Sequence, residues 1–326
     1  MKKLQLALGL SKPLNIFENA IDLLKVAIES NFYLHVSITY PVNAFILKYL
    51  LPSKFKYKKK LITKILGEDK IVFDKSLDLS LKRFGGKYID IVQIVNLPLK
   101  KNSIRNLKNL DITKYNDLKN QFISQKNKGK FKKIFLEIFE SDDIDLIKNI
   151  SQDFDGFIFR GNQREFYINE KIYDFLIKKE FDFIVYSIFD GGKFVDKNAY
   201  LNTFNFFSRN FKNNIILINR TNKLLRLKEA IKNLDQIKKN SQSLSTKRKS
   251  LQSENDQVLE MFSICQEAEN NQSTTNSKRN KPIFLKDNES QVKSSIFFRE
   301  SNCSNIYFSL RSILKDLILI IRKLFK

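Results

Sequence analysis

The sequence is poor in the residues that build disulfide frameworks and metal centres. Its 326 residues include two cysteines, one histidine and no tryptophan. The two cysteines, Cys265 and Cys303, are too few for a disulfide framework and indicate a reducing compartment. A single histidine, His35, excludes a histidine-based metal cluster. The sequence therefore predicts no metal site and a cytoplasmic location.

Several motifs and segments of known function are also missing. No glycine-rich phosphate loop, paired CxxC or GxSxG motif occurs. The longest uncharged run near the C-terminus is "LILII", far below the roughly 20 residues that a membrane span requires. The opening "MKKLQLALGLSKP" has a basic start and a short apolar run but no small-residue cleavage site. We therefore predict that it forms a first strand rather than a signal peptide.

Positive charge is present almost everywhere in the sequence. Lysine and arginine number 58 against 35 acidic residues, for a formal net charge of +23. The basic residues are spread along the chain and are not confined to one segment, which favours a general surface bias that attracts anions at low salt. No recognised nucleic-acid-binding module accompanies the charge, so nucleic acid is not the expected partner.

Short apolar runs alternate with helical patterns up to about residue 238. Between the runs, apolar residues recur at three- and four-residue spacing, as in "ENAIDLLKVAIES" and "NEKIYDFLIKKE". The runs themselves are nearly continuous, as in parallel strands buried on both faces. They span residues 4–8, 33–37, 60–64, 88–95, 133–139, 155–159, 182–189 and 214–219. Eight such units predict an α/β protein with a (β/α)8 TIM barrel.

The composition changes after residue 240. Segments such as "SQSLSTKRKSLQSENDQ" are rich in serine, asparagine, glutamine and charge, and cannot bury enough apolar surface to become ordered. We therefore predict three regions: a barrel over residues 1–240, a mostly disordered linker over 241–294, and a C-terminal segment over 295–326 that contains an amphipathic helix.

Three stretches resemble the aldo-keto reductase family. "SLDLSLKRFGGKYIDIVQIVNLP" resembles the family's helix-and-strand signature, "VYSIFDGGKF" its seventh-strand stretch, and "KKLITK" its third strand, which ends in Thr-Lys. The resemblance runs through nearly the whole predicted barrel. It implies a barrel enzyme that reduces carbonyl compounds with NAD(P)H, using an Asp, Tyr, Lys and His tetrad at the carboxyl ends of the strands.

The resemblance also locates the tetrad in this sequence. Laid over "HVSITYP", it places the proton-donating tyrosine at Tyr40 and the aspartate at His35. The lysine whose cation stabilises the phenolate matches Lys64, and the histidine that orients the carbonyl falls on Val95. Two of the four positions are therefore replaced, and the valine side chain has no hydrogen-bond donor. Loss of one such donor typically costs about a hundredfold in rate or more.

The same resemblance implies positions that hold the cofactor. Tyr186 matches the aromatic residue that stacks on the nicotinamide, although a tyrosine that merely lines the barrel is an equal alternative. The family's sixth-strand glutamine and asparagine fall on Ile158 and Asn162. Asn219 replaces a usual phosphate-binding glycine, but basic residues near a helix N-terminus can still hold an anion. The expected cofactor-binding residues are Tyr186, Ser187, Asn162, Arg220, Thr221 and Lys223.

Two functions remain open at this point. One is a divergent reductase in which His35 replaces the missing hydrogen-bond donor. The other is a catalytically inactive barrel of the same descent that binds a metabolite or a protein partner, with His35 in a structural role.

The C-terminal residues 306–326 predict a second kind of partner. At 100° per residue, a cationic arc lies opposite a broad apolar face, as in helices that rest on anionic membrane surfaces. The arc consists of Arg311, Lys315, Arg322 and Lys326. Peripheral attachment to the inner face of a membrane is therefore expected, and packing of this helix on the barrel or on a second copy is the alternative.

Overall fold

A closed barrel of parallel strands forms the centre of the molecule. The computed structural model describes residues 4–10, 20–100, 109–190, 198–211 and 213–239, and the backbone of 283–284. The strands are β1 (Leu4–Gly9), β2 (Tyr33–Ser37), β3 (Lys60–Leu66), β4 (Ile89–Asn96), β5 (Phe131–Glu137), β6 (Gly156–Arg160), β7 (Glu165–Phe166), β8 (Asp182–Tyr186), β9 (Ile215–Asn219) and β10 (Ile283–Phe284). All but β7 and β10 belong to the barrel, and β9 pairs with β1 to close it.

Helices connect the barrel strands. They are α1 (Ala20–Glu29), α2 (Pro41–Phe45), α3 (Ser53–Lys56), α4 (Lys70–Phe84), α5 (Ile112–Asn127), α6 (Ile144–Ile150), α7 (Glu170–Lys178), α8 (Ala199–Asn210) and α9 (224–239). The connection between β2 and β3 contains three helical segments, because a π-helical turn (Ile46–Leu50) follows α2 directly and precedes α3.

The eight predicted strands and the barrel fold are confirmed, but two of the strands end earlier than predicted. β5 ends at Glu137 instead of residue 139, because the main chains of Phe139 and Asp142 hydrogen bond to form a turn. β8 ends at Tyr186 instead of residue 189, because Ser187 adopts a φ of 65° and turns the chain. Neither turn is visible in the apolar pattern, which continues through both segments.

Two apolar cores fill the barrel and surround it. The larger core lies between the strands and the helices and contains most of the phenylalanines. The smaller core lies inside the barrel and consists of Ala7, Ile62, Ile91, Phe135, Ile158, Ile184, Ile216 and Ile218. The strands read as continuous apolar runs because both faces are buried in this way.

Part of the region predicted as a linker is described. Residues 283–284 form β10, which pairs in parallel with β7 beside the barrel. The rest of the predicted linker and the whole C-terminal segment, including the expected helix over 306–326, lie outside the described residues. No helix in the described part of the chain is long and apolar enough to cross a membrane.

The aspartate of the "YIDI" motif ties neighbouring strands together. Asp90 is buried in β4, where one carboxylate oxygen accepts the main-chain N–H of Leu61 at 2.9 Å. Its other oxygen accepts from Lys132 Nζ at 3.0 Å. Asp90 therefore joins β3 to β4 and lies at their amino ends, away from the end at which chemistry is expected.

Gly156 permits the close approach of β6 to its neighbours. An added Cβ at this position would lie 2.4 Å from the main-chain oxygen of Asp182 and 2.6 Å from the Phe135 ring. Both contacts are well inside van der Waals distance, and one is with main chain that cannot move away independently. A side chain at this position would therefore force β6 away from β5 and β8.

We expect Gly156→Ala to lower the free energy of unfolding by about 3 kcal/mol or more, as overpacking of a rigid site does. Gly129→Ala is the matched control. Nothing lies within 4 Å of an added Cβ there, and only its φ of 71° disfavours alanine, so we expect a loss of about 1 kcal/mol. Urea denaturation of both variants measures the difference, and equal losses would contradict the close approach.

Candidate active site

Four adjacent strands each place a polar side chain inside the barrel near their carboxyl ends. These side chains are His35 on β2, Lys64 on β3, Gln93 on β4 and Glu137 on β5. Each of them follows, two positions later on the same strand, a residue that belongs to the inner core or packs against it. Alternate side chains of a strand point to the same face, so the polar side chains also point inward. Those preceding residues are Tyr33, Ile62, Ile91 and Phe135. The four polar groups therefore lie above the inner apolar core.

Three of these side chains form a hydrogen-bonded chain. His35 Nε2 lies 2.7 Å from Gln93 Oε1, and Gln93 Nε2 donates to Glu137 Oε2 at 2.9 Å. Gln93 is fully buried and Glu137 is nearly so. Buried polar groups are costly without partners, so each member of the chain satisfies its neighbour.

The direction of the chain determines the protonation of His35. An ionised carboxylate only accepts hydrogen bonds, so Glu137 turns the amide N–H of Gln93 toward itself and the amide oxygen toward His35. Gln93 Oε1 in turn requires a donor, so Nε2 of His35 holds the proton. In the neutral ring, Nδ1 then has a free lone pair.

Burial lowers the pKa of His35 to about 4, and the nearby Lys64 cation acts in the same direction. The hydrogen bond to Gln93 and the charge of Glu137 act in the opposite direction but do not prevail. His35 is therefore neutral at pH 7. Since its folded pKa lies below the unfolded value near 6.5, the unfolded chain binds more protons between about pH 6.5 and 4, and stability falls as the pH drops through that range.

Lys64 also contacts an aromatic ring from the other side of the barrel. Its Nζ lies 6.0 Å from the centre of the Tyr186 ring, at the end of β8. Because the charges of both Lys64 and Glu137 act on His35, the site brings together a cation, a carboxylate and a neutral imidazole, with Tyr186 beside the cation.

The two remaining tetrad positions lie at the same end of the barrel. Tyr40 follows β2 by three residues and is the N-cap of α2, where its main-chain oxygen accepts from Ala44 at 3.2 Å. Its side chain is half-buried. Val95 is buried on β4, two residues beyond Gln93. The polar group that β4 contributes to the interior is therefore an amide at position 93.

Asn162 has a structural role in the turn after β6. Its Oδ1 accepts the main-chain N–H groups of Arg164 at 2.7 Å and Glu165 at 3.0 Å. The side chain is buried, and its oxygen is committed to the turn that leads into β7. The amide oxygen is thus already used by the protein itself.

Three expected phosphate-binding residues lie on the loop after β9. Arg220 and Lys223 are exposed, and Thr221 Oγ1 accepts the N–H of Lys223 at 3.1 Å, immediately before α9. The loop therefore presents two cations next to a helix N-terminus. This combination suits an anion, although exposed basic residues are common throughout this chain.

Two surface grooves lie elsewhere. One of about 320 Å³ between α2 and α4 is lined by residues that include Phe45, Tyr49 and Arg83. Another of about 240 Å³ lies at the amino ends of the strands and includes Lys133 and Asp182. Neither groove includes His35, Lys64 or Glu137. The polar cluster that these three residues form with Gln93 therefore lies apart from both grooves.

Sequence reasoning missed Gln93 and Glu137. Gln93 interrupts the apolar run "IVQIV" of β4, and Glu137 ends the apolar run "IFLE" of β5. A polar residue within a buried parallel strand must find a partner, and this signal was present in the sequence. The hydrogen-bonded partners are 58 and 44 residues apart in the sequence, so only the folded barrel shows which residues pair.

Comparisons with known proteins identify the barrel type. No protein-family profile matches the sequence, and no curated protein sequence matches it. Among solved structures, an aldo/keto reductase from Klebsiella pneumoniae in complex with NADP and acetate superposes with a TM-score of 0.56 at 9% identity, over 71% of this chain and 85% of that one. A protein described as an aldo-keto reductase from Pseudomonas aeruginosa superposes with a TM-score of 0.53 at 16% identity, over 70% and 90%.

The described barrel therefore has the fold of the aldo-keto reductases, as the sequence motifs predicted. At these identities the likeness establishes the fold, and the chemistry must be argued from the residues in the barrel.

The single histidine makes the electrostatics of the site measurable. In an NMR titration of the histidine ring signals, we expect a pKa of about 4 for His35. Lys64→Gln should raise this pKa, because it removes a cation that opposes protonation. Lys60→Gln, four residues earlier on the same strand, removes an equal charge at the other end of the barrel and should leave it unchanged. A pKa near the ordinary value of about 6.5 would contradict the burial and charge environment described for His35.

Proposed function

We propose that the barrel binds a nicotinamide dinucleotide and reduces a carbonyl compound, with Tyr40 as proton donor and Lys64 as the cation that stabilises its phenolate. The observation that carries the proposal is the polar cluster at the carboxyl ends of β2 to β5 in a barrel of the aldo-keto reductase type. Active sites of such barrels lie at this end, where the loops after the strands converge.

The polar cluster contains a carboxylate, although the tetrad position that the resemblance assigns to aspartate does not. His35 stands where the resemblance expects aspartate, yet Glu137 brings a buried carboxylate into the same interior from β5. Its charge and that of Lys64 both act on His35. The site therefore still holds a carboxylate together with the Lys64 cation.

The residues fit a nicotinamide dinucleotide in part. Arg220, Thr221 and Lys223 suit its phosphates, and the Klebsiella pneumoniae protein of the same fold binds NADP. Tyr186 at the end of β8 suits stacking, and Ser187 follows it in the turn. Asn162 is included in the proposal through its amide nitrogen, since its oxygen is committed to the turn after β6.

In this proposal Tyr40, Lys64 and His35 each have a separate role in the reaction. The bound cofactor supplies hydride. Tyr40 donates a proton to the carbonyl oxygen, and Lys64 stabilises the negative charge left on the phenol oxygen. His35 is proposed as a helper near the substrate, but its Nε2 proton already goes to Gln93. To act as a donor, His35 would have to release that bond or take up a second proton.

The second candidate is a barrel that binds a ligand without redox chemistry. Three observations favour it: Val95 offers no side-chain donor, the oxygen of Asn162 is occupied, and His35 is neutral with its proton committed. In that case the same polar cluster recognises a small molecule, and Tyr40 takes no part in proton transfer.

Tyr40→Phe distinguishes the two candidates. If the reductase proposal holds, this change should lower NADPH-dependent reduction of 4-nitrobenzaldehyde by about a hundredfold or more, because it removes the proton donor. The NADPH affinity, measured by fluorescence titration, should hardly change. Tyr57→Phe, at a tyrosine that is 84% exposed, is the matched control and should leave both quantities unchanged. Absence of NADPH binding by the unchanged protein at millimolar concentration would favour the non-redox candidate.

Attachment to an anionic membrane surface through residues 306–326 remains a separate proposal that depends on the sequence alone. The full chain should sediment with anionic vesicles, dissociate with added salt, and lose binding when truncated at about residue 300. Equal binding by the truncated chain would assign the attraction to the general positive charge of the protein.

A further inference from the structure

The two ring nitrogens of His35 have different surroundings. Nε2 faces Gln93 Oε1 at 2.7 Å. Among the residues that the structure describes, Nδ1 has no hydrogen-bond partner, and part of the side chain remains accessible to solvent. One nitrogen is therefore held by the protein, and no described residue hydrogen bonds to the other.

The available nitrogen has an acceptor lone pair and no proton. Glu137 orients Gln93, and Gln93 orients the ring so that its only proton is on Nε2. The ring is neutral at pH 7, so a second proton is not present on Nδ1. A group that pairs with Nδ1 must therefore bring its own hydrogen.

We propose that the carboxyl end of the barrel binds a hydroxyl-bearing molecule whose O–H donates a hydrogen bond to Nδ1 of His35. Gln93 and Glu137 are the positioning residues that keep this nitrogen an acceptor. The inference rests on the proposed function only in taking this end of the barrel as the ligand site, and it does not require NADPH to bind.

The neighbouring charges narrow the choice of donor. Lys64 on β3 is a cation close to His35, and it disfavours a ligand ammonium group as the donor. A ketone or aldehyde oxygen would place its own lone pairs against that of Nδ1. A neutral hydroxyl avoids both conflicts, and a lone pair of its oxygen can still face Lys64.

The selectivity that follows is moderate and measurable. A hydrogen bond of about 1 kcal/mol between an alcohol and Nδ1 corresponds to about fivefold tighter binding than for the matched ketone. Cyclohexanol and cyclohexanone are suitable probes because they differ in little except the hydroxyl.

The first measurement uses the unchanged full chain labelled with 15N in histidine. Its single histidine should show a protonated Nε2 and an unprotonated Nδ1 from pH 6 to 8. A protonated Nδ1, or an equal mixture of the two tautomers, would overturn the proposal. This readout needs no cofactor and no activity, so it stands apart from the reductase proposal.

Variants test the positioning role. Glu137→Met removes the acceptor that orients Gln93, so both tautomers of His35 should appear. Glu68→Met is the matched control, because Glu68 accepts from Asn96 Nδ2 at 3.2 Å and has no hydrogen bond to Gln93 or His35. It should leave the single tautomer intact. If Glu137→Met fails to fold, Gln93→Glu provides the test, since a carboxylate beside Nε2 should raise the pKa of His35 by about one unit or more. An unchanged His35 in a folded variant would contradict the positioning role.

The final measurement tests the ligand. Cyclohexanol should shift the Nδ1 resonance of the unchanged protein and bind about fivefold more tightly than cyclohexanone. His35→Phe should remove this preference. No shift with either probe, or a preference for the ketone, would overturn the proposal. A parallel NADPH titration of the same sample separates the outcomes, because a failure of cofactor binding alone counts against the reductase proposal and leaves the His35 result standing.

Discussion

Closure of the barrel is the constraint on which the rest of the structure depends. Once β9 pairs with β1, every second side chain of eight strands shares one interior that has no lateral exit. Apolar residues such as Ile62 and Phe135 fill its middle. A polar side chain buried next to them must find its partner on another strand, because the hydrogen bonds of the sheet are already formed between the main chains.

The His35–Gln93–Glu137 chain is the solution that this sequence contains. A buried carboxylate and a buried amide are each expensive alone, but together they satisfy one another and hold the imidazole in one orientation. The same low-dielectric surroundings that strengthen these bonds also oppose a positive charge on His35, so the ring stays neutral beside Lys64. Packing and protonation are thus consequences of a single arrangement.

This arrangement changes what a barrel of the aldo-keto reductase type offers to a ligand. The position expected to bring a histidine donor is occupied by Val95, and the position expected to bring an aspartate is occupied by His35. The carboxylate is on β5 instead, as Glu137. The interior therefore contains the Lys64 cation and a neutral imidazole in place of a histidine donor, and Tyr40 lies just after β2 as the N-cap of α2.

The sequence by itself determined the strands, the helices between them and the barrel, because a parallel strand buried on both faces must be apolar along its whole length. It also placed Lys64 and Tyr40 at the carboxyl ends, since strand ends can be read from that pattern. Tertiary structure alone decided the partners of these residues. Glu137 comes 102 positions after His35, and no local pattern states that β2, β4 and β5 bring them into one hydrogen-bonded chain. The commitment of Asn162 to its own turn, the early end of β8 before Ser187 and the pairing of β10 with β7 were decided in the same way, because each depends on main-chain geometry that residue types leave open.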